Sequence, residues 1–238
     1  MMYGELAQQL NQQSEGLSIT ETIRLLCHRF PDKVVFSTSF GYEDQVVTDI
    51  IISSGLPVRI FTLDTGRHFE ETYKVMNRTR EHYGVNIQTM FPDREEVENL
   101  LAGKGPFSFY ESVENRKECC HIRKVIPLRR ALDGASCWIT GLRAEQSESR
   151  QHLEKFQYDP SNDLIKYQPL CDWSLDQVKD FVRENQIPYN LLHDKGYPSI
   201  GCAPCTRPVN QGESFRAGRW WWENNSSKEC GLHPSEDK

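Results

Sequence analysis

The 238-residue chain has no apolar run long enough to cross a bilayer. Its start lacks the charged, apolar and small-residue succession of a secretory signal, since Met1-Met2-Tyr3 leads into a polar Gln/Asn stretch. The expected compartment is therefore the cytoplasm, with no membrane as partner. An excess of positive charge is also missing. Lys and Arg number 28 against 34 Asp and Glu, a net charge of −6. That argues against nonspecific nucleic-acid binding but leaves room for a local basic pocket around a small anion. Internal repeats and low-complexity tracts are absent. What remains, 37% hydrophobic and 26% charged, is the composition of a soluble globular protein with a sizeable core.

Strand-like and helix-like stretches alternate. Residues 1–16 read as a loose arm or short capping helix. Thr20 to Phe30 has helical spacing, with Thr20 as the predicted N-cap. Lys33–Phe40, Val58–Leu63, Val85–Phe91, Ala135–Leu142 and Leu164–Leu170 read as strands. Helices are predicted from Glu43, over Glu70–Tyr83, from Pro92-Asp93, over Glu118–Leu132 with a break or kink at Pro127, and over Ser174–Asn185. The pace is that of βαβ units. It predicts an α/β fold: a mostly parallel, twisted sheet with helices on both faces. Regularity fades from Val209 onward. The expected organisation is residues 1–208 as a nucleotide-binding α/β domain and 209–238 as a flexible C-terminal tail.

Three strand ends carry candidate binding residues. Ser37-Thr38-Ser39-Phe40-Gly41-Tyr42-Glu43-Asp44 puts small hydroxylated residues and a glycine between the first strand and the next helix. Free backbone N–H groups and a helix N-terminus suit a nucleotide phosphate there. Leu63-Asp64-Thr65-Gly66 ends the second strand, where an acid can accept ribose or base hydrogen bonds. Thr140-Gly141-Leu142-Arg143 ends the fourth, with Arg143 and Arg150 as candidate anion ligands. Each has an ordinary alternative: a plain βα turn, a capping Asp, an exposed basic loop.

The eight cysteines do not read as a disulfide framework. Cys27, Cys137 and Cys171 lie on apolar stretches and read as buried free thiols. Cys202-x-x-Cys205 beside Gly201 and Pro204 offers two thiolates on one tight turn. The adjacent Cys119-Cys120 completes a set of four, suited to zinc or a [4Fe–4S] cluster. Neighbouring residues chelate one tetrahedral zinc awkwardly, which favours the cluster. Lys124, four residues after Cys120, shares its helix face. Arg216-x-x-Arg219 and Trp220-Trp221-Trp222 lie shortly before a lone Cys230, in a polar stretch with no core to build. A thiol there calls for a chemical use, helped by nearby cations. No second cysteine lies near Cys230, which fits an external reductant.

These segments, with Lys228-Glu229-Cys230-Gly231-Leu232-His233, occur together and in order. The chain resembles the assimilatory phosphosulfate reductase family, closest to its iron–sulfur adenylyl-sulfate branch, over roughly residue 20 to the end. The resemblance implies an adenine-nucleotide alpha hydrolase-like fold related to the PP-loop enzymes. It implies a [4Fe–4S] cluster on Cys119, Cys120, Cys202 and Cys205, and Cys230 as the nucleophile. Ser37, Ser39, Phe40, Gly41, Glu43, Asp64 and Gly66 belong to its nucleotide-cradling segments. Lys124, Arg216, Arg219 and His233 match positions that meet the phosphosulfate, with Arg143 as a further candidate. The expected reaction reduces adenosine 5′-phosphosulfate (APS) to sulfite and AMP with thioredoxin or glutaredoxin, and family habit implies a homo-oligomer. The loop departs from the wider group, reading Ser-Phe-Gly-Tyr-Glu-Asp where that group has Ser-Gly-Gly-x-Asp-Ser, which speaks against ATP cleavage. The alternatives are use of the 3′-phosphorylated substrate (PAPS), a PP-loop ATP pyrophosphatase or sulfurtransferase, and a noncatalytic redox sensor.

Overall fold

Short buried runs become strands that pair side by side. The computed structural model describes residues 3–147, 150–151, 153–223 and 232. β1 (Val34–Ser37), β2 (Arg59–Leu63), β3 (Gln88–Met90), β4 (Cys137–Ile139), β5 (Phe156–Asp159) and β6 (Leu164–Tyr167) form one sheet in the order β3-β2-β1-β4-β6-β5. β1 pairs in parallel with β2 and β4, and β4 with β6, while β5 runs antiparallel to β6. The mostly parallel sheet predicted from the alternation is present. β5 is a strand the sequence reading missed. Its signal was the turn chemistry that follows it, where Ser161 N and Asn162 Nδ2 both donate to the Asp159 carboxylate.

The helices are α1 (Tyr3–Gln13), α2 (Ile19–Arg29), α3 (Tyr42–Ser53), α4 (Glu70–Tyr83), α5 (Arg94–Lys104), α6 (Val113–Cys120), α7 (Ile126–Leu132) and α8 (Leu175–Glu184). The cap of α2 is Ser18, not Thr20. Ser18 and Glu21 form a reciprocal capping box, whereas Thr22 returns its hydroxyl to the Ser18 carbonyl inside the first turn. Asp93 caps α5 and Ser174 caps α8. Pro127 does not break its helix. Ahead of it the chain widens into one π turn, His121–Val125, with Ile126 N bonded to His121 O. The proline ring opposes the carbonyl four residues back, and a wider turn moves that carbonyl away.

The described chain divides into two compact units. The first comprises residues up to Thr62, Lys74–Gln88 and Leu132–Asn190. Val34, Phe36, Cys137, Ile139, Ile165 and Tyr167 point to a core filled by Leu10, Ile23, Leu26, Val47, Val178 and Val182. The alternate residues Val35 and Trp138 are equally buried. Both faces of the parallel strands are thus covered, as such sheets require. Cys137 and Cys171 are buried as expected, and Cys27 is half-buried. Among the described residues no helix is long and apolar enough to cross a membrane.

The second unit comprises Leu63–Tyr73, Thr89–Ala131 and the residues from Leu191 onward. Its core gathers Leu100, Phe109, Ile122, Trp220 and the four cysteines Cys119, Cys120, Cys202 and Cys205. Residues 209–223 hold no helix or strand, yet they are tied in. Arg207 N bonds to Gly218 O, Trp220 N to Cys205 O, and Trp220 is 1% exposed.

Candidate functional site

In the first unit, parallel pairing sends the ends of β1 and β4 to one edge of the sheet. The loop after β1 is organised from within. Asp44 Oδ2 accepts from Ser39 N at 2.5 Å and Ser39 Oγ at 2.6 Å. Phe40 N donates to Thr38 Oγ1 at 3.1 Å. Phe40 takes a left-handed backbone (φ 60), unusual for an aromatic residue, and its buried ring packs with Val75 and Ile87. Gly41 is the N-cap of α3 and supplies no side-chain cap, so no side chain occupies the first turn from that position. Ser37 Oγ accepts from Trp138 Nε1 at 2.9 Å.

The loop after β4 closes on this one. A Cβ on Gly141 would lie 2.2 Å from Asp44 Oδ1, so only glycine fits that crossing. Arg143, 1% exposed, bonds Glu43 Oε1 through Nε at 2.8 Å, and Nη1 reaches Glu145 and the Trp173 carbonyl. Two predicted ligands, Glu43 and Arg143, thus meet each other. Burial raises the Asp44 carboxyl to about 6, opposed by the Ser39 hydrogen bonds and reinforced by Glu43.

In the second unit Asp64 Oδ1 accepts from Gly66 N at 2.8 Å and from Tyr73 OH at 2.9 Å. Gly66 is left-handed (φ 69), which turns the loop and lets Arg123 Nη1 reach the Thr65 carbonyl at 2.7 Å. Thr65 Oγ1 lies 3.3 Å from Cys202 Sγ. Ala203 N bonds the Arg67 carbonyl at 2.8 Å. Burial first, then the Asp64 hydrogen bond and charge, raises the Tyr73 phenol to about 12, so it remains a donor.

Cys119 and Cys120 from α6, and Cys202 and Cys205 from their tight turn, line one cavity. Four cations, Arg67, Arg116, Arg123 and Lys124, line it too, with the rings of Phe109 and Trp220, and no carboxylate lines it among the described residues. Burial pushes the Cys119 thiol up and the Cys205 thiol to about 12. Burial also opposes ionisation of Cys202, but Lys124, the Thr65 hydroxyl, Arg219 and Arg123 outweigh it and lower that thiol. Arg219 packs on Trp220, which lines the cavity. Its Nη1 bonds Ser199 Oγ at 3.2 Å and the Ile200 carbonyl at 3.3 Å, and its guanidinium lies 4.8 Å from the Trp220 ring centroid. Arg216 stands 6.0 Å from the same ring. Among the described residues, no three His, Cys, Asp or Glu converge tightly enough to hold one metal ion.

Of the predicted site residues, Ser37, Ser39, Phe40, Gly41, Glu43 and Arg143 thus gather in the first unit. Asp64, Gly66, Lys124, Arg216, Arg219 and the four cysteines gather in the second. Cys230 and His233 lie outside the described residues. The sequence reading missed Arg67, Thr65 and Arg116 as parts of the site. Arg116 was legible by helical spacing, three and four residues before the paired cysteines.

A mostly parallel sheet with a strand-end loop, and a cavity lined by thiols and cations, define an α/β protein of the class that carries its chemistry at strand ends and thiols. Residues 33–208 match the phosphoadenosine phosphosulfate reductase domain, and the chain belongs to that family. Among its relatives is the adenosine 5′-phosphosulfate reductase of Allochromatium vinosum, 50% identical over 216 residues, 91% of this chain and 84% of that protein. The enzyme of the same name from Neisseria meningitidis serogroup B is 47% identical over 218 residues, 90% of this chain and 89% of that one. A crystal structure of phosphoadenylyl-sulfate reductase from Candida auris superposes with a TM-score of 0.73 at 31% identity, covering 86% of this chain and 97% of that one. The FMN adenylyltransferase of Candida glabrata shares the fold, with a TM-score of 0.56 at 17% identity over 97% of this chain and 78% of that one. The α/β architecture expected from the sequence, a mostly parallel sheet with helices, is therefore shared with these proteins.

Proposed function

We propose that this chain is an APS reductase of assimilatory sulfate reduction. The observation that carries the reading is the cradle: four thiols from two distant segments, walled by cations, with no carboxylate among the described residues that line it. The residues fit a [4Fe–4S] cluster by donor type, since all four are soft sulfur ligands and the surrounding cations offset thiolate charge. They surround a cavity rather than converge on one ion. Cys119, Cys120, Cys202 and Cys205 hold the cluster. When bound, it keeps their sulfurs as thiolates and sets the field felt by Lys124.

The adenosine phosphate binds the uncapped α3 turn and the Ser37–Gly41 loop, and Asp64 takes sugar or base donors. Lys124, Arg216, Arg219 and His233 bind the phosphosulfate. The Cys230 thiolate attacks its sulfur. The S–O bond to phosphate breaks, AMP leaves with that electron pair, and S-sulfocysteine remains. The cations stabilise the charge growing on the departing phosphate oxygen. A thiolate of reduced thioredoxin then attacks Cys230 Sγ and expels sulfite. The second thioredoxin thiol resolves the mixed disulfide and returns Cys230 as thiol. Thioredoxin is the two-electron donor, and the S(VI) of sulfate becomes the S(IV) of sulfite.

The test compares APS and PAPS turnover with reduced thioredoxin, in the wild type and in Cys230→Ser. Sulfite and AMP should form in equal amounts from APS, and the variant should release neither. Sulfite release by Cys230→Ser at the normal rate would sink the scheme. A preference for PAPS, the substrate in the name of the Candida auris enzyme, would shift the specificity instead. Anaerobically purified protein should be brown, with broad absorption near about 400 nm.

A further inference from the structure

Arg116 is 1% exposed and bonds Glu223 in two places, Nε to Oε1 at 2.8 Å and Nη2 to Oε2 at 2.9 Å. The Glu223 side chain is 2% exposed. The Arg116 guanidinium also stacks 4.7 Å from the Trp220 ring centroid. The pair joins residues 107 apart in sequence. At one end, α6 places Arg116 one turn before Cys119 and Cys120, where it lines their cavity. At the other, Glu223 precedes Cys230 by seven residues, which span at most about 25 Å when fully extended.

A buried ion pair is a poor source of stability, because desolvation consumes most of the attraction; apolar residues of similar shape often do as well. What a forked, two-bond pair supplies is a single geometry. We propose that Arg116 and Glu223 are positioning residues for the thiol step: their buried pair registers the start of the Cys230 segment on the helix that carries Cys119 and Cys120. The proposal rests on Cys230 being the nucleophile. The pair touches neither substrate nor reacting atoms. It acts by fixing the point from which the thiol must reach, and loss of register on the scale of an ångström slows a bond-forming step steeply.

The test uses the cluster-loaded protein with Glu223→Gln and Glu223→Asp. The first keeps the shape without the charge, and the second keeps the charge with a shorter reach. Iron content and AMP affinity report an intact fold and nucleotide site. Mass spectrometry after single-turnover mixing with APS reports the rate at which Cys230 gains its sulfo group. Iron and AMP affinity should stay at wild-type values while that rate falls about tenfold to a hundredfold, and kcat should fall more than KM rises. A wild-type adduct rate in either folded variant overturns the proposal. So does a parallel loss of AMP affinity and adduct rate, the mark of a merely structural pair. If Glu223→Gln does not fold, Glu223→Asp decides by the same measurements. Failure of the underlying reading looks different: no sulfo group forms on Cys230 in the wild type at all.

Discussion

The two groups of candidate site residues, one in each unit, are built in opposite ways. The loop of the first unit is local. Ser39 and Asp44, five residues apart, shape it through the backbone, and its charged side chains satisfy one another. The cradle of the second unit is assembled from afar. Thr65 meets Arg123 across 58 residues, Arg116 meets Glu223 across 107, and Thr65 meets Cys202 across 137. The loop turns the Ser39 and Phe40 N–H groups onto its own side chains and holds its arginine inside. The cradle brings cations to a thiol-lined cavity. The difference teaches where damage should spread. A change in the loop should stay with nucleotide binding, whereas a change in the cradle should reach the phosphosulfate and thiol steps, and the cluster as well where it removes a cysteine.

The largest effect is expected from Cys205→Ala. It removes one of the four thiols that line the cavity. Iron content should fall at least about tenfold and turnover with it, measured by iron assay and visible absorption. Full colour and activity in that variant would break the contrast between loop and cradle.

Next is Gly201→Ala. A Cβ there would lie 2.3 Å from Arg219 Nη2 and 2.6 Å from its Cζ. Arg219 has little freedom to yield, being bonded to Ser199 and Ile200 and stacked on Trp220. The variant should lose about 1–3 kcal/mol of stability by denaturant titration. KM for APS should rise about tenfold, the scale of one charged hydrogen bond.

The smallest is Asp44→Asn in the loop, which should leave iron content unchanged and weaken AMP binding about threefold to tenfold. It also carries a pH signature. The Asp44 carboxyl is raised from 3.8 to about 6 in the folded chain. Between those values the unfolded chain releases a proton that the folded chain keeps, so this group's contribution to stability falls as pH rises from about 4 to about 6 and is level above. The Tm of Asp44→Asn should therefore gain on the wild type across that window. A constant difference would show that Asp44 ionises normally.

Much of this was legible in the residues. Alternating buried runs and helical spacing marked β1, β2, β4, β6 and most helices, because burial imposes its period on the sequence. The paired cysteines with Lys124 were readable for the same reason, four residues being one helical turn. The Ser18 cap was misplaced by two residues because two hydroxylated residues compete at that end, and only one can accept from Glu21 N. β5 escaped because a short antiparallel edge strand has little apolar content, and its partner across the turn decides its state. The π turn escaped because Pro127 says that something must give, without saying where.

By itself the sequence determined the kinds of groups present: a glycine and hydroxyls at a strand end, four soft ligands in two pairs, basic residues near them, and a helix face shared by Cys120 and Lys124. These are local properties, set by spacing along the chain. Only the tertiary structure decided partnership. It turned Arg143 inward onto Glu43, placed Arg219 over Gly201, and joined Arg116 to Glu223. Each of these side chains has several possible partners of the right charge. Which one it meets depends on burial, where an unpaired charge is too costly to persist.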